Sequence, residues 1–153
     1  MTVIGIDPGK AGGIAVVGWE RAVAHPMPAT ERDILDLIAS LRELAAPDSP
    51  TAIIERVASM PKQGVVSTFT FCENYGALRM PLIAVGVPFE SVSPGVWQRP
   101  FNLPTIKSAG SKVAKKNAHK ARAQELFPGV KITHAVADAL LLAEWGRRQK
   151  QGR

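Results

Sequence analysis

Apolar residues fall in short runs through the first part of the chain and in helical stripes through much of the rest. Val3–Asp7, Gly13–Gly18 and Ala22–Met27 predict three short strands, joined by tight turns at Pro8-Gly9 and around Trp19-Glu20-Arg21. Strands so closely spaced are expected to form an antiparallel meander. Thr30 is placed to cap a helix whose third position is Asp33, and Ile34, Leu37, Ile38, Leu41 and Leu44 recur at helical spacing until Pro47. Thr51–Val57 reads as a fourth strand. Ser67 to about Val85 reads as a second helix, with Pro81 as a kink or early end, and Pro88–Val92 as a fifth strand. A Pro-, Gly- and Ser-rich loop follows to about Gly110. A helix from Lys112 to Leu126 comes next, then a last helix from near Thr133 that runs out in a basic tail over 146–153. Three consecutive strands followed by strands alternating with helices predict an α/β fold: one domain over 1–153, with a mixed five-stranded sheet flanked by helices.

Three carboxylates interrupt this apolar pattern. Asp7 ends the most hydrophobic strand, and Glu55 sits in TAIIERV, where alternation puts it on one face with Ile53 and Val57. At 100° per residue His134, Asp138, Leu141 and Trp145 share a narrow arc of the last helix, so Asp138 lies within the stripe that faces the sheet. Each acid has an ordinary explanation by itself. Asp7 can bond the turn that follows it, Glu55 can pair with a lysine across the sheet, and a lone histidine is commonly structural. Together they are harder to explain so, because unpaired carboxylates clustered in apolar surroundings cost several kcal/mol each and repel one another. A divalent cation would neutralise Asp7, Glu55 and Asp138 with His134 at one edge of the sheet. Oxygen ligands with one imidazole suit Mg²⁺ or Mn²⁺ better than zinc.

The chain has 153 residues, 46% of them hydrophobic, enough for a real core. No apolar run approaches the ~20 residues of a membrane span, and the N-terminus lacks the layout of a signal peptide. Cys72 is the single cysteine, so no internal disulfide can form and a reducing cytoplasm is expected. A net charge of +6 suits a polyanionic partner, nucleic acid being the commonest. Helical spacing over 112–126 puts Lys112, Lys115, Lys116 and His119 on one side with Lys120 at its border, while Ala114, Ala118 and Ala121 line the side expected to pack inward. Lys107, Arg122, Arg147, Arg148, Lys150 and Arg153 add positive charge in the same third of the chain. Such a surface beside a metal-binding carboxylate cluster is what phosphodiester cleavage requires. Phe71, Tyr75, Leu78 and Leu82 form a stripe that reads as core or dimer face. Phe69, beside the loop containing Lys62, is the aromatic placed to stack on an unpaired base.

IGIDPG at 4–9, IIER at 53–56 and HAVADALLLAEWG at 134–146 together resemble the RuvC-type Holliday-junction resolvases of the RNase H-like superfamily, and STFTFCENYGALR resembles a helix of the compact phage-type members. The likeness spans nearly the whole chain in order. It implies an RNase H-like fold, a catalytic and metal-binding set of Asp7, Glu55, His134 and Asp138, and phosphate contacts from Lys116 and Lys120. With Lys62, Phe69, Lys107, Lys112 and Lys115 these make up the expected DNA surface. His134 and Asp138 are four residues apart where many members have three, and both spacings keep the pair on one helix face. The resemblance further implies two ions ~4 Å apart bridged by Asp7, nicks with 5′-phosphate ends in opposing strands, and a homodimer on four-way junctions with helix 67–82 at its interface, in a bacterial or phage-infected cell. Other readings are a less selective nuclease of branched DNA or of RNA–DNA hybrids, and a non-catalytic junction-binding protein. An ATPase phosphate loop in DPGKAGG is a remoter one, since such folds need two such domains.

Overall fold

A computed structural model describes residues 1–56 and 64–152, without the side chains of Ser67 and Phe71. Val57, Lys62 and Arg153, and the Ser67 and Phe71 side chains, therefore lie outside the described residues. β1 (Val3–Asp7), β2 (Gly13–Val17) and β3 (Ala22–Pro26) form the expected antiparallel meander. β4 (Thr51–Glu55) pairs parallel with β1, and β5 (Phe89–Val92) parallel with β4, giving a five-stranded mixed sheet of order β3-β2-β1-β4-β5. β1 and β4 are thus interior strands, buried on both faces, which accounts for their near-continuous apolar sequences.

Strand alternation divides the core in two. Ile4, Ile6, Ile14, Val16, Ala52 and Ile54 pack against Ile34, Ile38 and Leu41 of α1 (Glu31–Leu44) and Leu78 and Leu82 of α2 (Val65–Ala84). Thr30 Oγ1 caps α1 by accepting the Asp33 amide at 3.1 Å. On the other face Val3, Ala15, Val17 and Ile53 meet α6 (His134–Gln151), with α5 (Lys112–Leu126) packed on α6. α6 comes unusually close to the sheet. A Cβ built on Gly5 would lie 2.1 Å from the Ala139 carbonyl oxygen, and one on Gly146 2.7 Å from Ile53 Cγ1. The alanines and glycine of α6 let its backbone rest on the middle strand, and this contact carries Asp138 to the sheet.

Four expectations change. Pro81 neither ends α2 nor lacks a helical successor: the helix continues for three residues, and Pro81 is buried, its carbonyl taking the Val85 amide at 3.0 Å. The supposed loop after β5 contains α3 (Pro94–Gln98), a 3₁₀ turn (Arg99–Phe101) and α4 (Ile106–Ala109). Pro94 occupies the first turn of α3, where a proline's missing N–H costs nothing, and a Thr105–Ser108 capping box starts α4. The basic residues 147–151 are not a free tail but the last turns of α6. Finally, α5 is rotated from the alanine-inward expectation, with Ala114 and Ala118 only half-buried. His119 and Ala123 are buried on it while Ala121 is exposed, because the His119 side chain finds a polar partner on α6.

Adding a methyl at Gly5 must push two backbones apart rather than displace a flexible side chain. Gly5→Ala is expected to destabilise by at least the ~1–3 kcal/mol typical of overpacking, read as a lower urea midpoint.

Candidate functional site

Asp7 and Glu55 are the last residues of two adjacent parallel strands, so both leave the sheet at one edge. Register pairs Ile6 with Ile54, which brings the next residues of each strand, Asp7 and Glu55, side by side. Period-two alternation places both with Gly5 and Ile53, on the face that α6 covers. Asp138, one residue before the Ala139 carbonyl that touches Gly5, enters from above. The Pro8–Gly12 turn folds back over Asp7: the Gly12 amide bonds the Gly9 carbonyl at 3.0 Å, and a Cβ on Gly12 would strike the Asp7 carbonyl oxygen at 2.1 Å.

The charges of the three acids act on one another. Burial pushes the Asp7 carboxyl well above the usual carboxylate range, and the negative charges of Asp138 and Glu55 push it further, with Lys116 and Lys115 pulling it back. Asp7 keeps some accessible surface, but the Pro8–Gly12 turn and α6 crowd it closely enough for burial to dominate. Burial and Asp138 likewise raise Glu55, opposed by a hydrogen bond from Trp97 and by Lys115 and His119. Trp97 Nε1–H donates to Glu55 Oε2 at 2.8 Å. His119 Nδ1 bonds Asp138 Oδ1 at 2.7 Å, and its ring is 2% exposed.

The structure thus brings together Asp7, Glu55 and Asp138, with Lys115 and Lys116 beside them. His134 is the first residue of α6 and exposed, and its Nε2 bonds Asn117 Oδ1 at 2.9 Å rather than an acid of the cluster. Lys107 and Lys112 are exposed on α4 and α5, and Lys120 is half-buried. Phe69 stands out from the start of α2, 63% exposed. Arg147 and Arg148 do not belong to this surface. Both bond the buried Glu144, at 2.7 Å from each Nε, about two and a half helical turns beyond Asp138. Lys150 Nζ reaches Thr51 Oγ1, at the opposite end of β4 from Glu55. Trp97 and His119 are the site residues that sequence reading passed over. A signal existed for His119, since His119, Ala123 and Leu126 form their own inward stripe at helical spacing.

A divalent cation fits this donor set. Among the described residues no three Asp, Glu, His or Cys side chains have the spacing of a formed metal site. The chemistry of the cluster nevertheless favours positive charge: two acids held close by a third bind protons more tightly than usual, and a hard dication competes for the same oxygens.

No family model and no curated protein sequence matches the chain. Among solved structures the match is clear, and the architecture is that of the RNase H-like fold. The particular likeness is to RuvC of Thermus thermophilus. One structure of that protein aligns with a TM-score of 0.63 at 17% identity, covering 98% of this chain and 97% of RuvC. A second, of RuvC in complex with Holliday junction substrate, aligns with a TM-score of 0.66 at 16% identity, covering 97% and 96%. At such identity the shared property is the fold.

The raised carboxyls make stability depend on pH in a definite direction. Between the ordinary carboxylate range and their raised folded values, the native state holds protons that the unfolded chain has released, so stability falls as pH rises through that window. Glu144 runs oppositely, in a lower window: burial opposes its charge, but its bonds from Arg147 and Arg148 prevail and hold its carboxyl low. In EDTA the protein is expected to be more resistant to urea at mildly acidic than at neutral pH. Asp7→Asn should flatten that dependence and raise the neutral-pH midpoint.

Proposed function

We propose that the chain is a metal-dependent endonuclease that resolves four-way DNA junctions, acting as a homodimer. The observation that carries this reading is the convergence of Asp7, Glu55 and Asp138 at one sheet edge with Lys115 and Lys116 beside them. The fold shared with RuvC supports it, as does the fact that RuvC was solved with a Holliday junction.

In this reading Asp7, Glu55 and Asp138 would hold the ions, with His134, whose Nε2 bonds Asn117, as a fourth candidate ligand. Two bound Mg²⁺ or Mn²⁺ ions would supply an activated water and neutralise the leaving 3′ oxygen, leaving a 5′-phosphate. The protein's own part is to hold the strand. Lys115 and Lys116 attract the phosphate backbone to the acidic site that would otherwise repel it, and Lys107, Lys112 and Lys120 extend that hold along the duplex arms, with Lys62 expected to add a further phosphate contact. Phe69 offers a ring to a base left unstacked where strands exchange. Symmetric nicks in opposing strands require two sites on one junction, hence two copies. The other exposed apolar residues of α2, Val65, Val66, Met80 and Ile83, offer the surface for pairing.

A labelled four-way junction, a splayed fork and plain duplex, each with Mg²⁺ or Mn²⁺, test this directly. Paired nicks on the junction are expected, and Asp7→Asn should reduce them at least about 1,000-fold, since several kcal/mol of transition-state stabilisation depend on the bound ions. Equal cutting of all branched substrates would keep the nuclease and remove its selectivity. Junction binding without cutting would leave a binding protein of the same fold.

Lys116→Ala should weaken junction binding most at low salt and reduce the slope of log K against log salt by about 0.9, the share of one phosphate contact. Fluorescence anisotropy across a salt series measures both.

A further inference from the structure

Two of the three acids are held from behind by buried rings, and the rings touch. Trp97, fully buried on α3, donates its indole N–H to Glu55 Oε2 at 2.8 Å. His119, on α5, bonds Asp138 Oδ1 through Nδ1 at 2.7 Å. The two rings meet edge to face, with centroids 6.1 Å apart and planes at 82°. A continuous path therefore runs from β4 through α3 and α5 to α6: Glu55, Trp97, His119, Asp138. His119 Nε2 is buried and has no hydrogen-bond partner among the described residues. A proton there would be an unpaired buried N–H, so the favoured tautomer keeps its proton on Nδ1, aimed at Asp138.

We propose that Trp97 and His119 are positioning residues, a bracket that sets the spacing of Glu55 and Asp138 and leaves one oxygen of each, Oε1 and Oδ2, to face a divalent cation. The inference rests on the metal-binding reading above and adds to it how the ligands are kept in place. Ring N–H donors suit this task, because each fixes one carboxylate oxygen from a buried, rigid side chain and leaves the other free, where a flexible lysine would fix neither itself nor the oxygen. The edge-to-face contact ties the two acids to each other, so a shift of one ring moves both. Groups that orient ligands in this way typically matter 10–100-fold in metal affinity.

Mn²⁺ titration of the purified protein without DNA, followed by electron paramagnetic resonance, tests the bracket apart from cleavage. His119→Phe keeps a ring and loses the donor, and it is expected to weaken Mn²⁺ binding about 10–100-fold while metal-free junction binding stays as in the wild type. His119→Asn, whose amide N–H can take the place of Nδ1–H, should recover most of the loss. Trp97→Phe, which keeps the packing and removes the N–H, should weaken Mn²⁺ in the same sense, so the result does not hang on one variant folding. Wild-type Mn²⁺ affinity in both His119→Phe and Trp97→Phe would overturn the bracket and leave the metal site standing. So would a His119→Asn as weak as His119→Phe. A wild-type protein that binds no Mn²⁺, or an Asp7→Asn that binds it unchanged, would overturn the metal reading itself and the bracket with it.

Discussion

Everything at the site depends on how closely one helix can lie on one strand. The missing side chain at Gly5 lets the Ala139 carbonyl and Ala143 amide of α6 reach the backbone of β1. Gly13 and Gly146 admit the same helix near either end, against the Ala135 carbonyl and Ile53 in the first case backbone to backbone and in the second backbone to side chain. A helix resting on ordinary side chains would stand several ångströms higher, and Asp138 would be out of reach of Asp7 and Glu55. The smallness of these residues is thus the geometric condition for three acids from three separate segments to share a cleft.

That proximity carries an energetic cost, visible in the raised carboxyls of Asp7 and Glu55. The fold offsets it with ample apolar burial on both faces of the sheet, and with Lys115 and Lys116, whose charges moderate the repulsion without forming ion pairs with the acids. A protein built only for stability would pair or remove these carboxylates. Leaving Asp7 and Glu55 without a salt bridge among the described residues is the pattern of perturbed carboxylates found at functional sites.

Much of this was legible in the sequence, for reasons that differ by element. The strands and α1 announce themselves through local pattern, because apolar alternation, the Thr30 cap and the Pro8-Gly9 turn act within a few residues. Asp7, Glu55 and Asp138 were legible because each violates the pattern around it. What escaped is what depends on contacts across the fold. Trp97 sits in a stretch whose proline and glycine look like loop chemistry, yet Pro94 starts a helix there. His119 lies among lysines, and its short stripe with Ala123 and Leu126 is outweighed by that run of charge until α5 is seen to approach α6. Spacing put His134 and Asp138 on one helical face, but the bond to Asp138 comes from another helix, and His134 turns instead to Asn117.

The buried Glu144 has a consequence for how the molecule meets a large polyanion. By holding Arg147 and Arg148 it cancels part of the positive charge at the far end of α6, where Arg147 also lies over the Trp19 ring and Arg148 over Phe101. Among the described residues the lysines of α4 and α5 form no salt bridge, Lys115 and Lys116 facing the acids of the site only at longer range, so the molecule's basic character is lopsided. Such a charge distribution has a preferred heading in an electric field, and any polyanion would meet the lysine-bearing face of α4 and α5 first.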